Sequence, residues 1–226
     1  MNLTEHYDRL YEKSSKAILE GGYLIDNQID SLSDNRFGIT LLIRPDEQIT
    51  SNVQASLEEL KAIDQAQYYY PASDMHVTVL SIISCYAGFE LSRISIQDYV
   101  NVIQESLAGI GTIDIRFTGI TASPSAVMIQ GFPCGNALEE VRDRLRSNFR
   151  GSGLEESIDT RYTLATAHVT AMRFRAELKN SERFVAALER YRQHDFGHLQ
   201  AQHLELVYND WYQRERFVRR LHTFSL

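Results

Sequence analysis

Two short stretches, His76-Val77-Thr78-Val79-Leu80 and His168-Val169-Thr170-Ala171-Met172, constrain this chain more than any other feature of its 226 residues. Each is β-branched and apolar enough to be read as a strand. Side chains alternate across a strand, so His76 and Thr78 share one face while Val77 and Val79 take the other. The same holds for His168 and Thr170. Residues two apart on one face lie roughly 6.5–7 Å apart at their Cα atoms. A phosphoryl group fits against such a pair, with the imidazole at a bridging or attacking oxygen and the hydroxyl donating to a non-bridging one. A single copy would read as a core histidine. Two copies at equivalent places read as one site built from two strands.

The places are equivalent because the chain runs through one order twice. Residues 37–45, 75–83 and 112–121 read as strands. Helices between them are opened by Ser51 with Gln54 and by Ser95 with Asp98. Residues 125–132, 167–174 and 199–208 read as strands in the second half, separated by helices after Asn136 and over 181–193, and a short strand covers 222–226. Each half is strand–helix–strand–helix–strand with the His-x-Thr motif on its middle strand. The expected fold class is α+β: a two-lobed, pseudo-symmetric molecule of two mostly antiparallel sheets flanked by helices, with a central cleft. The lobes fall at about 35–122 and 123–226. Residues 1–34 are expected to form a helix, over about 4–20, and a loop ahead of that domain.

Composition excludes several classes. Hydrophobic residues at 43% and charged residues at 23% are the ordinary balance of a globular chain. No stretch approaches the length of a membrane span, so no membrane partner is expected, and the acidic start MNLTEHYDRLYEK is not read as a secretion signal. Cys85 and Cys134 form no CxxC pair and are expected to be reduced core thiols of a cytoplasmic protein. The net charge of −7 argues against a grip on long nucleic acid. The first half is strongly acidic, whereas the second carries nearly all its positive charge on arginine, which suits bidentate phosphate contacts. A monomer acting on a small anion or an RNA end is expected.

Softer candidates surround the motifs. Tyr70, in the YYYP run before His76, is placed to stack on a base or to cover the core. Tyr208, at the end of a strand near His168, is placed to line the cleft or to pack. Arg161 precedes the second motif strand and is placed to reach a phosphate or close a turn. A metal site at His194, His198 and His203 is disfavoured, because Gly197 interrupts the i, i+4 pair and no HExxH forms. No GxSxG supports a serine hydrolase. A non-catalytic module holding a nucleotide or RNA end in the same cleft is the alternative.

The paired His-x-Thr motifs and the element order around them resemble the 2H phosphoesterase superfamily, which includes 2′-5′ RNA ligase-like proteins and cyclic nucleotide phosphodiesterases. The resemblance spans roughly residues 35–226. It implies that His76 and His168 are the catalytic pair, that Thr78 and Thr170 bind the phosphate, and that neither metal nor cofactor is needed. It implies cleavage of a 2′,3′-cyclic phosphate or a 2′-5′ or RNA-type phosphodiester. Arg173 stands five residues after the second histidine, where such proteins often carry arginine, and Ala171 stands where leucine is usual. Arg173 is thereby expected to bind substrate, although strict alternation along the strand would turn it away from His168.

Overall fold

The computed structural model describes residues 2–226. Helix α1, Leu3–Leu19, begins at Asn2, whose side chain accepts from the Glu5 amide. Its buried stripe of Tyr7, Tyr11, Ser14, Ser15 and Ile18 has helical spacing and lies over strand β4, Ile113–Ser123. Strand β1, Arg36–Ile43, leads into α2, Glu47–Ile63. The cap of α2 is Asp46, which accepts from the Ile49 amide, rather than Ser51 further along. Pieces β2, Tyr68–Tyr69, and β3, Val77–Ala87, follow, then α3, Ile96–Leu107. After β4 come β5, Ala126–Cys134, α4, Ala137–Ser152, β6, Val169–Arg173, and α5, Ser181–Arg190. The stretch expected as one strand over 199–208 is two: β7, Asp195–Ala201, and β8, His203–Asp210. Strand β9, Arg219–Ser225, closes the chain. No helix among the described residues is long and apolar enough to cross a membrane.

The expected pair of sheets is replaced by one. Among the described residues nine strands, all paired antiparallel, form a single sheet in the order β7-β4-β5-β6-β3-β1-β8-β9, with β2 added beside β6. Strand order does not follow the division at residue 122. Strand β4 lies between β5 and β7, and β8 and β9 extend the sheet from β1. Short hairpin connections explain this, because β4 turns directly into β5 and pairs with it from Asp114–Cys134 to Ser123–Ala126.

The joint between the motif strands is thin. Strands β3 and β6 share one register pair, Val77 with Val169, both of them buried. Beyond it they part, and other groups take the ladder bonds. The Tyr70 amide donates to the Ala171 carbonyl, and the Ser157 amide donates to the Ile82 carbonyl. On the other side of the sheet Arg142 of α4 is 3% exposed, and its hydrogen bonds go to backbone carbonyls rather than to a carboxylate. It donates to the Val79 carbonyl at 2.8 Å, to Thr78 at 2.9 Å and to Thr166 at 2.7 Å. Three acceptors left open by the parting strands are satisfied by one guanidinium.

Both motif strands also carry an extra residue. Opposite β1, Leu80 and Thr78 face consecutive residues Leu41 and Leu42, so Val79 is bulged out of register. Opposite β5, Met172 and Thr170 face Val127 and Met128, so Ala171 is bulged in the same way. Each bulge falls three residues after its histidine. A second bulge at Ile82 gives β3 half-exposed positions at Thr78, Ser81 and Ser84, a spacing of three instead of two.

Candidate active site

Val77 and Val169 point into the core, so the residues on either side of each point the other way. Antiparallel register through that pair sets His76 across from Thr170 and Thr78 across from His168. All four side chains line one cleft of about 230 Å3, together with Ser81, Arg161 and Arg173. Two motifs 92 positions apart in the sequence therefore meet at one place.

The two imidazoles are held differently. His76 Nδ1 lies 2.8 Å from the Asp74 carbonyl. A carbonyl only accepts, so that nitrogen carries the proton and Nε2 is left for the cleft. His168 Nδ1 lies 2.8 Å from the Thr166 hydroxyl, which either donates or accepts. Burial pushes His76 down to about 4, partly offset by the Asp74 carbonyl, with the Arg44 and Arg173 guanidiniums adding to the lowering. Burial also pushes His168 down to about 4, aided by Arg142, Arg173 and His6, with no group offsetting it. Both rings are thus neutral near pH 7, in a site ringed by guanidinium groups.

Arg173 lines the cleft, as expected of a substrate-binding residue, although strict alternation would turn it away. The bulge at Ala171 is the reason: one extra residue returns Arg173 to the face of His168 and Thr170. Its Nε donates to the Tyr70 hydroxyl at 2.9 Å, and its Nη1 lies 4.0 Å from Asp26, a residue of the segment before β1. Ser81 holds the corresponding position after His76, so the guanidinium occurs in one motif and a hydroxyl in the other.

The other expected residues are distributed unevenly. Tyr70 borders the cleft but is 2% exposed and edge-on to Tyr68, so no open ring face remains for a base; its hydroxyl supports Arg173 instead. Arg161 borders the cleft, donates to the Cys85 carbonyl at 2.9 Å and lies 4.5 Å from the centre of the Trp211 ring. Tyr208 is not in the cleft lining. It stacks on Phe37 with ring centres 4.9 Å apart and touches Phe89, a packing role set by alternation along β8. Cys85 is buried, its thiol pushed up to about 12 by burial, whereas Cys134 is exposed at the end of β5 rather than in the core. Among the described residues no three His, Cys, Asp or Glu side chains gather as a metal set. His194 packs on Phe196, and His198 lies 3.7 Å from Asp114.

Sequence reading missed Arg142, Asn209, Trp211, Tyr212 and Gln213. The last four lie on one stretch, at the end of β8 and just past it, that forms a wall of the cleft. Its one available signal was the chain's single tryptophan beside an Asn-Asp pair at a strand end. The loop between α4 and β6 also lines the cleft, and its Arg161 reaches the Trp211 ring. There Asp159 adopts a left-handed backbone, φ 57°, and is held by Arg146 Nε at 2.7 Å.

No family model matches the chain, and no curated protein matches it. Solved structures do. TT0787 of Thermus thermophilus aligns with a TM-score of 0.62 at 14% identity, over 83% of this chain and 97% of its own. A protein described as a phosphoesterase aligns at 0.58 and 12%, over 84% and 98%. E. coli LigT complexed with 3′-AMP aligns at 0.57 and 12%, over 84% and 98%, and LigT is also solved with ATP and with NADP+. The chain has the fold of these proteins, a mixed α/β arrangement on an antiparallel sheet.

Proposed function

We propose that this chain is a 2H-type phosphoesterase that cleaves a 2′,3′-cyclic phosphate, or a 2′-5′ or RNA-type phosphodiester, by proton transfer between His76 and His168. The observation that carries the reading is the register pair Val77–Val169, which turns two distant His-x-Thr motifs into one pocket with two imidazoles and two hydroxyls. The shared fold with a phosphoesterase and with a nucleotide-complexed LigT supports the class of reaction.

The unlike partners of the two rings support unlike roles. With Nδ1 donating to the Asp74 carbonyl, His76 is stabilised when protonated and presents an Nε2–H donor. It acts as the acid. His168 has only a hydroxyl at Nδ1 and Arg142 behind it, which disfavours its protonated form. It acts as the base. His168 takes a proton from water, the water oxygen bonds to phosphorus, the bond from phosphorus to one ribose oxygen breaks, and His76 protonates that oxygen. Thr78, Thr170 and Arg173 donate to the non-bridging oxygens as negative charge builds on them. The substrate's negative charge favours the protonated form of His76, so the acid becomes available on binding, while Arg142 keeps His168 neutral as the base.

The test is hydrolysis of 2′,3′-cyclic nucleotides, cyclic-phosphate RNA ends and 2′-5′ dinucleotides, with products identified by phosphorus NMR and a chelator in excess. Wild type is expected to turn over at least one of these. His76→Ala and His168→Ala are each expected to lower kcat by at least about 100-fold. Retention of tens of per cent by either variant overturns the mechanism.

A further inference from the structure

Asp26 belongs to the turns that join α1 to β1, yet it is fixed from several sides. Its amide donates to the Phe174 carbonyl at 2.8 Å, which ties it to the residue directly after Arg173. Tyr23 packs on the same Phe174, with ring centres 4.7 Å apart. Asp26 Oδ1 accepts from the Tyr212 hydroxyl at 2.9 Å and from the Gln28 amide at 3.1 Å. The Tyr212 hydroxyl accepts in turn from Arg36 Nη2 at 3.2 Å, so its own proton is committed to Asp26. These bonds leave the other oxygen, Oδ2, to face Arg173 Nη1 at 4.0 Å, a charge contact rather than a hydrogen bond. Arg173 is thus held at Nε by the Tyr70 hydroxyl and at Nη1 by a carboxylate, with the Tyr212 ring centre 5.5 Å from its Cζ. The Arg173 and Asp26 side chains are 18% and 17% exposed, so salt screens their attraction less than it would at the surface.

We infer that Asp26 is a positioning residue: its carboxylate aims the Arg173 guanidinium at the phosphate, so the segment ahead of β1 completes the active site. This rests on the phosphoesterase reading, in which Arg173 donates to the non-bridging oxygens. The need follows from the length of arginine. A free guanidinium samples many rotamers, and a substrate that must order it loses binding energy to that step. Tyr70 holds one N–H; a second contact at Nη1 fixes the plane of the group. Donors fixed in advance act most strongly where charge develops, because nothing has to reorganise during the reaction. The benefit of Asp26 therefore falls on kcat and passes through Arg173. In the ground state its negative charge opposes an anionic substrate, so its removal does not weaken binding by charge.

Asp26→Asn keeps the size of the side chain and one oxygen for Tyr212 and Gln28, and removes the charge that faces Arg173. On a cyclic phosphate that the wild type turns over, it is expected to lower kcat by about tenfold with KM unchanged or lower. In an Arg173→Met background the same substitution is expected to change kcat by less than about twofold, because the group it aims is gone. Melting temperature shows that each variant is folded. Equal fold losses in both backgrounds, or no loss in the wild-type background, overturn the inference while leaving the phosphoesterase reading intact. A second readout needs no turnover. Nitrogen NMR of the arginine side chains in the free protein is expected to resolve the Arg173 Nη–H signals in wild type. In Asp26→Asn rotation is expected to average them, while the Nε–H signal held by Tyr70 persists. Averaged Nη–H signals in wild type, or resolved ones in Asp26→Asn, overturn the inference even if no cyclic phosphate reacts.

Discussion

At the scale of single residues, the histidines and Arg142 lead to distinct predictions. Folding lowers both imidazoles to about 4, below the ordinary histidine value of about 6.5. Between those values the unfolded chain binds protons that the native chain does not, so stability rises with pH across that window and falls on acidification from about 6.5 toward 4. Replacing both histidines by asparagine is expected to flatten that segment of a melting temperature–pH curve. Imidazole NMR is expected to show both rings titrating near 4 in the free protein and moving up when inorganic phosphate is added; titration near the ordinary value in the free protein would contradict this. Arg142 matters for stability instead. Arg142→Met leaves three buried carbonyls without donors and is expected to cost roughly 2–4 kcal/mol in denaturant unfolding. The motif residues were legible because chemistry dictates their spacing within one strand. Arg142 was not, since it sits on a helix whose apolar stripe of Leu138, Val141, Leu145 and Phe149 explains the segment without it. Its partners are backbone atoms, which no side-chain pattern reveals.

At the scale of elements, the bulges decide which side chains reach the cleft. Helices α1 to α5 and the motif strands were readable from apolar periodicity, capping residues and β-branched runs. Strict alternation alone would turn Arg173 away from the cleft, because it applies a period of two to a strand that breaks it. A bulge depends on the register of the neighbouring strand, which the sequence of β6 alone does not contain. The same dependence hid β2, whose two residues are a strand only because β6 lies beside them. Close approach of strands gives a test. A Cβ on Gly131 of β5 would sit 1.9 Å from the Ala167 carbonyl, directly before His168. Gly131→Ala is therefore expected to lower the melting temperature by several degrees and to reduce turnover by displacing His168. Gly111→Ala, where an added Cβ meets nothing within 4 Å, serves as the control that leaves both unchanged.

At the scale of the whole molecule, the α+β class and a cleft between matching strands were readable from the repeated order of elements, whereas the number of sheets was not. Two small sheets and one long one use the same strands; what separates them is a single register pair, a long-range contact that local pattern cannot supply. The interleaved strand order has a consequence for how the chain is made. Strand β1 precedes every other strand in the sequence, yet one of its edges is covered only by β8, which follows all of them except β9. A nascent chain halted at Gln202 would hold an apolar row, from Ile39 to Ile43, with backbone donors and acceptors open along it. That shortened chain is expected to aggregate when expressed alone. Supplying residues 203–226 as a separate peptide is expected to recover soluble protein, read by size-exclusion chromatography. Strands β8 and β9 thus seal this edge of the sheet against other copies of the chain.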